Sequence, residues 1–245
     1  MTTPITAFVA GATGYTGQRV VEALRARGAR VVAHVRPGTS GAAGWRERFG
    51  ALGAELSEVP WTAEAMRAEL ARVRPDHVFA LLGTTRRRAA SEGLDSPYER
   101  IDYGLTALLR EAAEACGSAP RFHYLSAIGA TEATRNPYLR VRGRMERELQ
   151  AGTLPWLIAR PAFVSGPDRA EFRLAERVGA VVTDALLGGL AAIGIRGPRE
   201  RWGSLTGREL GAAMAQLALV SRDGRAMADV AALRAAARAY EESAR

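Results

Sequence analysis

Three glycines recur at three-residue spacing near the N-terminus, in "GATGYTG": Gly11, Gly14 and Gly17, with Ala12, Thr13, Tyr15 and Thr16 between them. Glycine makes up 26 of 245 residues, so this spacing would arise by chance roughly 0.3 times in such a chain, and context has to decide what it means. The β-branched run "ITAFVA" precedes the glycines and the helical pattern "YTGQRVVEALRARG" follows them. At a strand-to-helix junction, glycines permit a tight turn and a close approach of ligand to backbone, and the free N–H groups of the helix start face an anion. The chemistry expected of Gly11 to Gly17 is phosphate binding, and turn glycines with a purely structural duty are the alternative.

A second feature bears on which phosphate. In a dinucleotide fold that prefers NAD(H), an acidic residue at the end of the second strand takes the ribose hydroxyls. Here that strand ends "HVRPGTS", with Arg36 in place, Thr39 and Ser40 following, and no carboxylate before Glu47. A guanidinium grips a 2′-phosphate bidentately, whereas a carboxylate would repel it. NADP(H) is therefore expected over NAD(H), and a merely solvated strand-end Arg36 is the alternative.

The elements that must position these residues alternate along the chain. Strands are expected at "ITAFVA", "ARVVAHV", "AELSEV", "DHVFALL", "RFHYLSA" and "PWLIARP". Helices are expected at "YTGQRVVEALRARG", "GWRERFGAL", "TAEAMRAELARV", "YERIDYGLTALLREAAEAC" and "NPYLRVRGRMERELQAG". The last has Asn136 as N-cap, Pro137 at the first helical position and Gly152 as its stop. Repeated β-α-β units imply an α/β fold: a doubly wound parallel sheet of Rossmann type with right-handed crossovers, binding ligands beyond the carboxyl ends of its strands. Beyond Gly166 helices and loops dominate. Thr206 and Glu209 form a capping box before an amphipathic helix, and "GRAMADVAALRAAARAYEE" is a helix or a short strand followed by one. A single domain is expected over 1–245, with a Rossmann core to about 165 and a small, mostly helical C-terminal lobe over 166–245.

Bulk properties exclude other classes. The 34 basic residues exceed the 26 acidic ones, a net charge of +8, yet every basic residue is arginine, and they are spread along the chain beside Glu. That pattern suits biased coding better than a nucleic-acid surface, so no nucleic-acid partner is expected. The single Cys116 rules out an internal disulfide. His34, His77 and His123 lack ligand spacing, so no metal is expected. "MTTPITAFVAG" lacks a basic n-region and leads into the glycine loop, which points to a cytoplasmic protein. The apolar run Val178 to Ile195 contains Asp184 and a Gly188-Gly189 pair and reads as a buried helix, lining a pocket or a dimer contact, and not as a membrane span. A monomer or homodimer follows.

Taken together, "GATGYTG", "LLGTTR", "YLSAIGA", "NPYLRVRGRMERELQ" and "RPAFVSGP" resemble the atypical or extended group of the short-chain dehydrogenase/reductase superfamily over residues 5–167. "LLGTTRRRAASEG" followed by "IDYG" is similar to its Tat-interacting-protein oxidoreductase branch. The resemblance implies that Thr13 to Gly17 wrap the pyrophosphate and that Leu82, Gly83, Thr84 and Thr85 pass beside the cofactor. It also implies that Pro161 flanks the nicotinamide and that Ser126 and Tyr138 are the catalytic serine and tyrosine. A phenol serves as an acid/base near neutral pH when a nearby cation favours the phenolate. The family pattern has lysine four residues after the tyrosine; this chain has Arg142. Arginine can supply charge and bind ribose but cannot relay a proton. Two further readings of these residues are compositional drift at position 142 and a packing role for Tyr138. Asp102, opening the helix after the fourth strand, reads as a dimer-face residue, a water relay or a helix-terminus acid. The function expected is NADPH-dependent reduction of a small carbonyl or lipid-like substrate. A redox sensor that binds NADP(H) without turnover and an epimerase-like enzyme are the alternatives.

Overall fold

The computed structural model describes residues 4–83, 98–165, 203–221 and 223–243. Thr84, Thr85, the arginine run at 86–88 and the apolar run at 178–195 lie outside them. The elements alternate as expected: β1 (Thr6–Ala10), α1 (Tyr15–Ala26), β2 (Arg30–His34), α2 (Ala42–Ala51), β3 (Glu55–Ser57), α3 (Ala63–Val73) and β4 (His77–Ala80). The helix that follows opens with a π-helical segment, Tyr98–Leu105, and continues as α4 (Thr106–Ala115). Then come β5 (Arg121–Leu125), α5 (Pro137–Ala151), β6 (Trp156–Ala159), β7 (Val164–Ser165), β8 (Leu205–Thr206), α6 (Gly207–Leu219), β9 (Arg225–Ala228) and α7 (Val230–Glu242).

Seven strands form one parallel sheet in the order β3-β2-β1-β4-β5-β6-β9. Side chains of a strand alternate between its faces, and both faces of this sheet are covered. Ala7 and Val9 of β1 pack with α1, α6 and α7, through residues such as Val20, Leu24, Leu210 and Leu233. Phe8 and Ala10 pack with α3, α4 and α5, through Met66, Leu70, Leu109 and Met145. The strand order reverses between β1 and β4, which opens a crevice at their carboxyl ends. The glycine loop and Leu82 sit at that crevice.

The described C-terminal elements are helical as expected, and they also complete the core. β9 is the seventh strand of the sheet, pairing with β6 from Trp156↔Arg225 to Ala159↔Ala228. α6 packs tightly on α1, where a Cβ at Gly211 would stand 2.7 Å from the Arg19 backbone. The capping box is present, with the Thr206 side chain accepting from the Glu209 N–H and Glu209 accepting from the Thr206 N–H. Asn136 caps α5 by accepting from the N–H groups of Tyr138 and Leu139. Of the two readings for residues 224–242, a short strand followed by a helix is the one observed.

The three histidines are buried. His77 and His123 lie side by side on β4 and β5, with His77 Nδ1 3.0 Å from His123 Nε2 and Phe79 stacked on His123 at 4.4 Å between ring centroids. Burial first, then the proximity of His77 and Arg121, holds His123 well below the usual histidine range. It is therefore neutral when folded, while the unfolded chain takes up a proton below about pH 6.5. Unfolding gains that proton, so this site's contribution to stability falls as pH drops from about 6.5 toward the lower native value. Denaturant melts at pH 7.5 and 5 should show His123→Leu losing less stability on acidification than the wild type; equal losses would remove the buried pair from the acid response.

Candidate active site

The glycine loop is shaped by close contacts that side chains would occupy. Gly11 has φ of +81°, and a Cβ there would stand 2.6 Å from the Leu81 carbonyl oxygen at the end of β4. A Cβ at Gly17 would stand 2.1 Å from the Gly11 carbonyl oxygen, and one at Gly14 would stand 3.1 Å from it. The loop thus folds back on itself, closed by a Gly14 N–H to Gly11 carbonyl bond of 2.9 Å, with the start of α1 directly above it. Gln18 Nε2 donates to the Thr13 carbonyl and holds the loop to the helix. α1 has Gly14 at its N-cap, no side-chain cap bond and no acid in its first turn. The positive end of a helix dipole, with no side-chain cap, therefore meets a loop without Cβ atoms at Gly11, Gly14 and Gly17, which fits a pyrophosphate.

Tyr15 uses its side chain elsewhere. Its ring packs on Gly207, at the start of α6, and its hydroxyl donates to the Ser165 carbonyl at 3.3 Å. Arg36 follows the end of β2 and is exposed, while its carbonyl accepts from the Thr39 N–H and hydroxyl.

The residues expected to be catalytic come from the carboxyl ends of β5 and β6 and from α5. Ser126 follows β5 and is buried, and its hydroxyl donates to Glu146 Oε1 at 2.5 Å. Glu146 is itself bound by Arg160, with Nε donating to Oε1 at 2.9 Å and Nη2 to Oε2. The chain Ser126–Glu146–Arg160 ties β5, α5 and the exit of β6 together. Pro161 comes next, and its carbonyl accepts from the Ile128 N–H at 3.0 Å. Tyr138 lies in the first turn of α5, half-buried, with Tyr98 edge-on at 5.6 Å and the Arg142 guanidinium 5.1 Å from its ring centroid.

Arg142 lies beneath this surface. Nη1 donates to the Leu125 carbonyl, and Nη2 donates to the Leu82 carbonyl at 3.0 Å and to Asp102 Oδ1 at 2.6 Å. Burial pulls its pKa down, but the opposing pull of Tyr124, Tyr138 and Asp102 wins and raises it, so the group stays a cation. Tyr124, with the guanidinium 5.5 Å from its ring centroid, is pushed up to about 12 by burial, with Arg142 pulling the other way.

Asp102, Glu146 and Arg160 are members of the constellation that sequence reasoning did not assign to it. A signal was present for one of them. On α5, Val141, Arg142, Met145, Glu146 and Leu149 form the buried face, so Arg142 and Glu146 are charges at apolar-stripe positions, four residues apart. Charges there need built partners. Among the described residues no cluster of His, Cys, Asp and Glu could hold a metal ion, and no helix is long and apolar enough to cross a membrane.

Comparison with known proteins gives the family and the fold. The sequence profile of the NAD dependent epimerase/dehydratase family matches residues 7–212. Among solved structures, a Burkholderia cenocepacia protein provisionally assigned as an epimerase is 24% identical, with a TM-score of 0.61 and coverage of 97% of this chain and 82% of its own. UDP-glucose 4-epimerase from Brucella ovis, in complex with NAD, is 17% identical, with a TM-score of 0.64 and coverage of 92% and 76%. A protein crystallised with NADP+ and (+)-pinoresinol is 19% identical, with a TM-score of 0.51 over 66% of this chain and 51% of its own. These likenesses carry the fold. No curated protein matches the sequence. The narrower resemblance to the Tat-interacting-protein branch rests on its motifs alone.

Three substitutions test the geometry. Gly17→Ala places a methyl 2.1 Å from the Gly11 carbonyl oxygen, so it should abolish NADPH-induced stabilisation in a thermal melt, whereas Gly14→Ala should weaken it less. Arg142→Lys replaces two terminal nitrogens, set apart in a planar fork, by a single ammonium at one point, and so loses the two-point reach to acceptors on separate elements. It should destabilise the fold by about 2–3 kcal/mol, a fall in Tm of roughly 4–12 °C for a chain of this size. An unchanged melting temperature would show that the fork is not a clamp.

Proposed function

Because the chain belongs to the NAD dependent epimerase/dehydratase family, we propose that it is an NADP(H)-dependent oxidoreductase reducing a small carbonyl or lipid-like substrate, with Tyr138 as proton donor and Ser126 as the group that orients the substrate oxygen. The observation that carries this reading is the Tyr138 ring set against a buried guanidinium at the carboxyl edge of the sheet, in a chain whose glycine loop is stripped for phosphate. The loop Gly11–Gly17, Leu82 and Gly83 and Pro161 would hold the dinucleotide, with Thr84 and Thr85 assigned by resemblance. When bound, the nicotinamide supplies or accepts a hydride.

The protein's own residues do the rest. Tyr138 gives its phenolic proton to the oxygen that becomes negative as the carbonyl is reduced. The neighbouring positive charge of Arg142 stabilises the phenolate that remains. We assign Arg142 this electrostatic part of the role and not a contact with ribose, since both its terminal nitrogens already serve Leu82, Leu125 and Asp102. Ser126 reaches a substrate oxygen only by sharing or turning the hydroxyl now directed at Glu146. Arg36, with no carboxylate before Glu47, supports the preference for a 2′-phosphate.

An epimerase is the second reading, favoured by the family profile and by the Brucella ovis neighbour. It would return the hydride to the same substrate, so no net oxidation of NADPH would be seen. Screening NADPH oxidation over a panel of carbonyl compounds separates the two. Turnover that falls at least about a hundredfold in Tyr138→Phe supports the reductase; NADPH binding without turnover over the whole panel would sink it. Arg36→Asp should raise the Kd for NADPH about tenfold or more while sparing NADH, since a charge-assisted phosphate contact is worth at least about 1.4 kcal/mol. Equal effects on both would remove Arg36 from cofactor selection.

A further inference from the structure

Arg142 joins three elements. Its acceptors are the Leu82 carbonyl beyond β4, the Leu125 carbonyl at the end of β5, and the Asp102 carboxylate on the π-helical segment. The side chains of Arg142 and Asp102 are 4% and 0% exposed. A Cβ at Gly83 would stand 3.0 Å from Arg142 Nη2 and 3.5 Å from Asp102 Oδ1, so the chain leaving β4 lies directly on the pair. Asp102 is itself held in place, because Thr106 Oγ1 donates to its main-chain carbonyl at 2.8 Å within the π-to-α junction.

The surroundings of the guanidinium are phenols. Tyr124 of β5 and Tyr138 of α5 have ring centroids 5.5 and 5.1 Å from it, and Tyr98 of the π-helical segment packs edge-on against Tyr138. Glu146, one turn further along α5, is bound by Arg160 and Ser126. The carboxylate bonded to Arg142 is that of Asp102. An uncompensated cation within about 4–6 Å favours the ionised form of a neighbouring acid by roughly 1–3 pH units. How much of that field reaches the phenols depends on the carboxylate bonded to it.

We propose that Asp102 is a positioning residue matched to Arg142: it holds the guanidinium fork across the exits of β4 and β5 and sets how much of its charge reaches the phenol rings of Tyr124 and Tyr138. Arginine at position 142 is then one half of a pair and not a defective lysine. The pair accounts for a buried carboxylate on a π-helical turn, where the backbone is wound to aim that position inward. The proposal deepens the reading of Tyr138 as proton donor and rests on it for its catalytic consequence.

The test is a titration of the tyrosine absorbance near 295 nm in the full-length protein without cofactor, comparing wild type, Asp102→Asn, Arg142→Gln and the double variant, each checked for folding by thermal melting. With a Tyr138→Phe reference identifying which part of the six-tyrosine signal belongs to the ring beside the guanidinium, Asp102→Asn should move that part down by about one pH unit or more, Arg142→Gln should move it up, and the double variant should return close to wild type. A folded Asp102→Asn protein that titrates like wild type overturns the proposal. Should Asp102→Asn fail to fold, Arg142→Gln carries the same test with the sign reversed, and the absence of an upward shift overturns it. No substrate enters the measurement. A protein that reduces no carbonyl yet shows the opposed shifts keeps the matched pair and loses only the reductase reading.

Discussion

A guanidinium placed in the interior of a protein must find acceptors in every direction its fork points, or the cost of desolvating it exceeds what folding can supply. The two terminal nitrogens of Arg142 find their acceptors only because three separate elements meet α5: the exits of β4 and β5 and the π-helical turn carrying Asp102. Each of those three contributes one acceptor, and none of the acceptors is near another in sequence. At the carboxyl edge of the sheet, β4 and β5 are thus joined by this charge network as well as by the main-chain ladder.

A second network stands beside the first. Glu146, one turn after Arg142, takes the Ser126 hydroxyl on one side and Arg160 on the other. The two charges on the buried stripe of α5 therefore staple the helix to β4, β5 and β6. This organises the candidate chemistry as a side effect of satisfying polarity: Ser126 and Tyr138 are held because their neighbours must be paired. The glycine loop works by the opposite logic. It is shaped by what is missing, since backbone atoms fill the space that any side chain at Gly11 or Gly17 would need.

Much of the fold was legible in the sequence. The alternation of β-branched runs and 3.6-residue patterns placed the six core strands and the helices between them. The cap at Asn136 and the capping box at Thr206 and Glu209 were readable because capping is local, set within four residues. The π-helical opening at Tyr98–Leu105 was not, because periodicity does not separate one unusual turn from an ordinary helix. The place of β9 was not either. Whether a short strand after a helical stretch joins a distant sheet edge depends on pairing with β6, some seventy residues away.

For the site, the division follows the same line. The sequence by itself determined that three glycines stand at three-residue spacing between a strand and a helix, that no carboxylate lies between the end of β2 and Glu47, and that arginine stands four residues after Tyr138. All three are properties of residue type at fixed local spacing. Only the tertiary structure decided what Arg142 and Ser126 bond to, because Asp102 lies forty residues from Arg142, and Arg160 reaches Glu146 only once β6 has joined the sheet. Charge pairs buried across elements leave no periodic trace; they exist where packing removes water and forces the remaining polar groups to find one another.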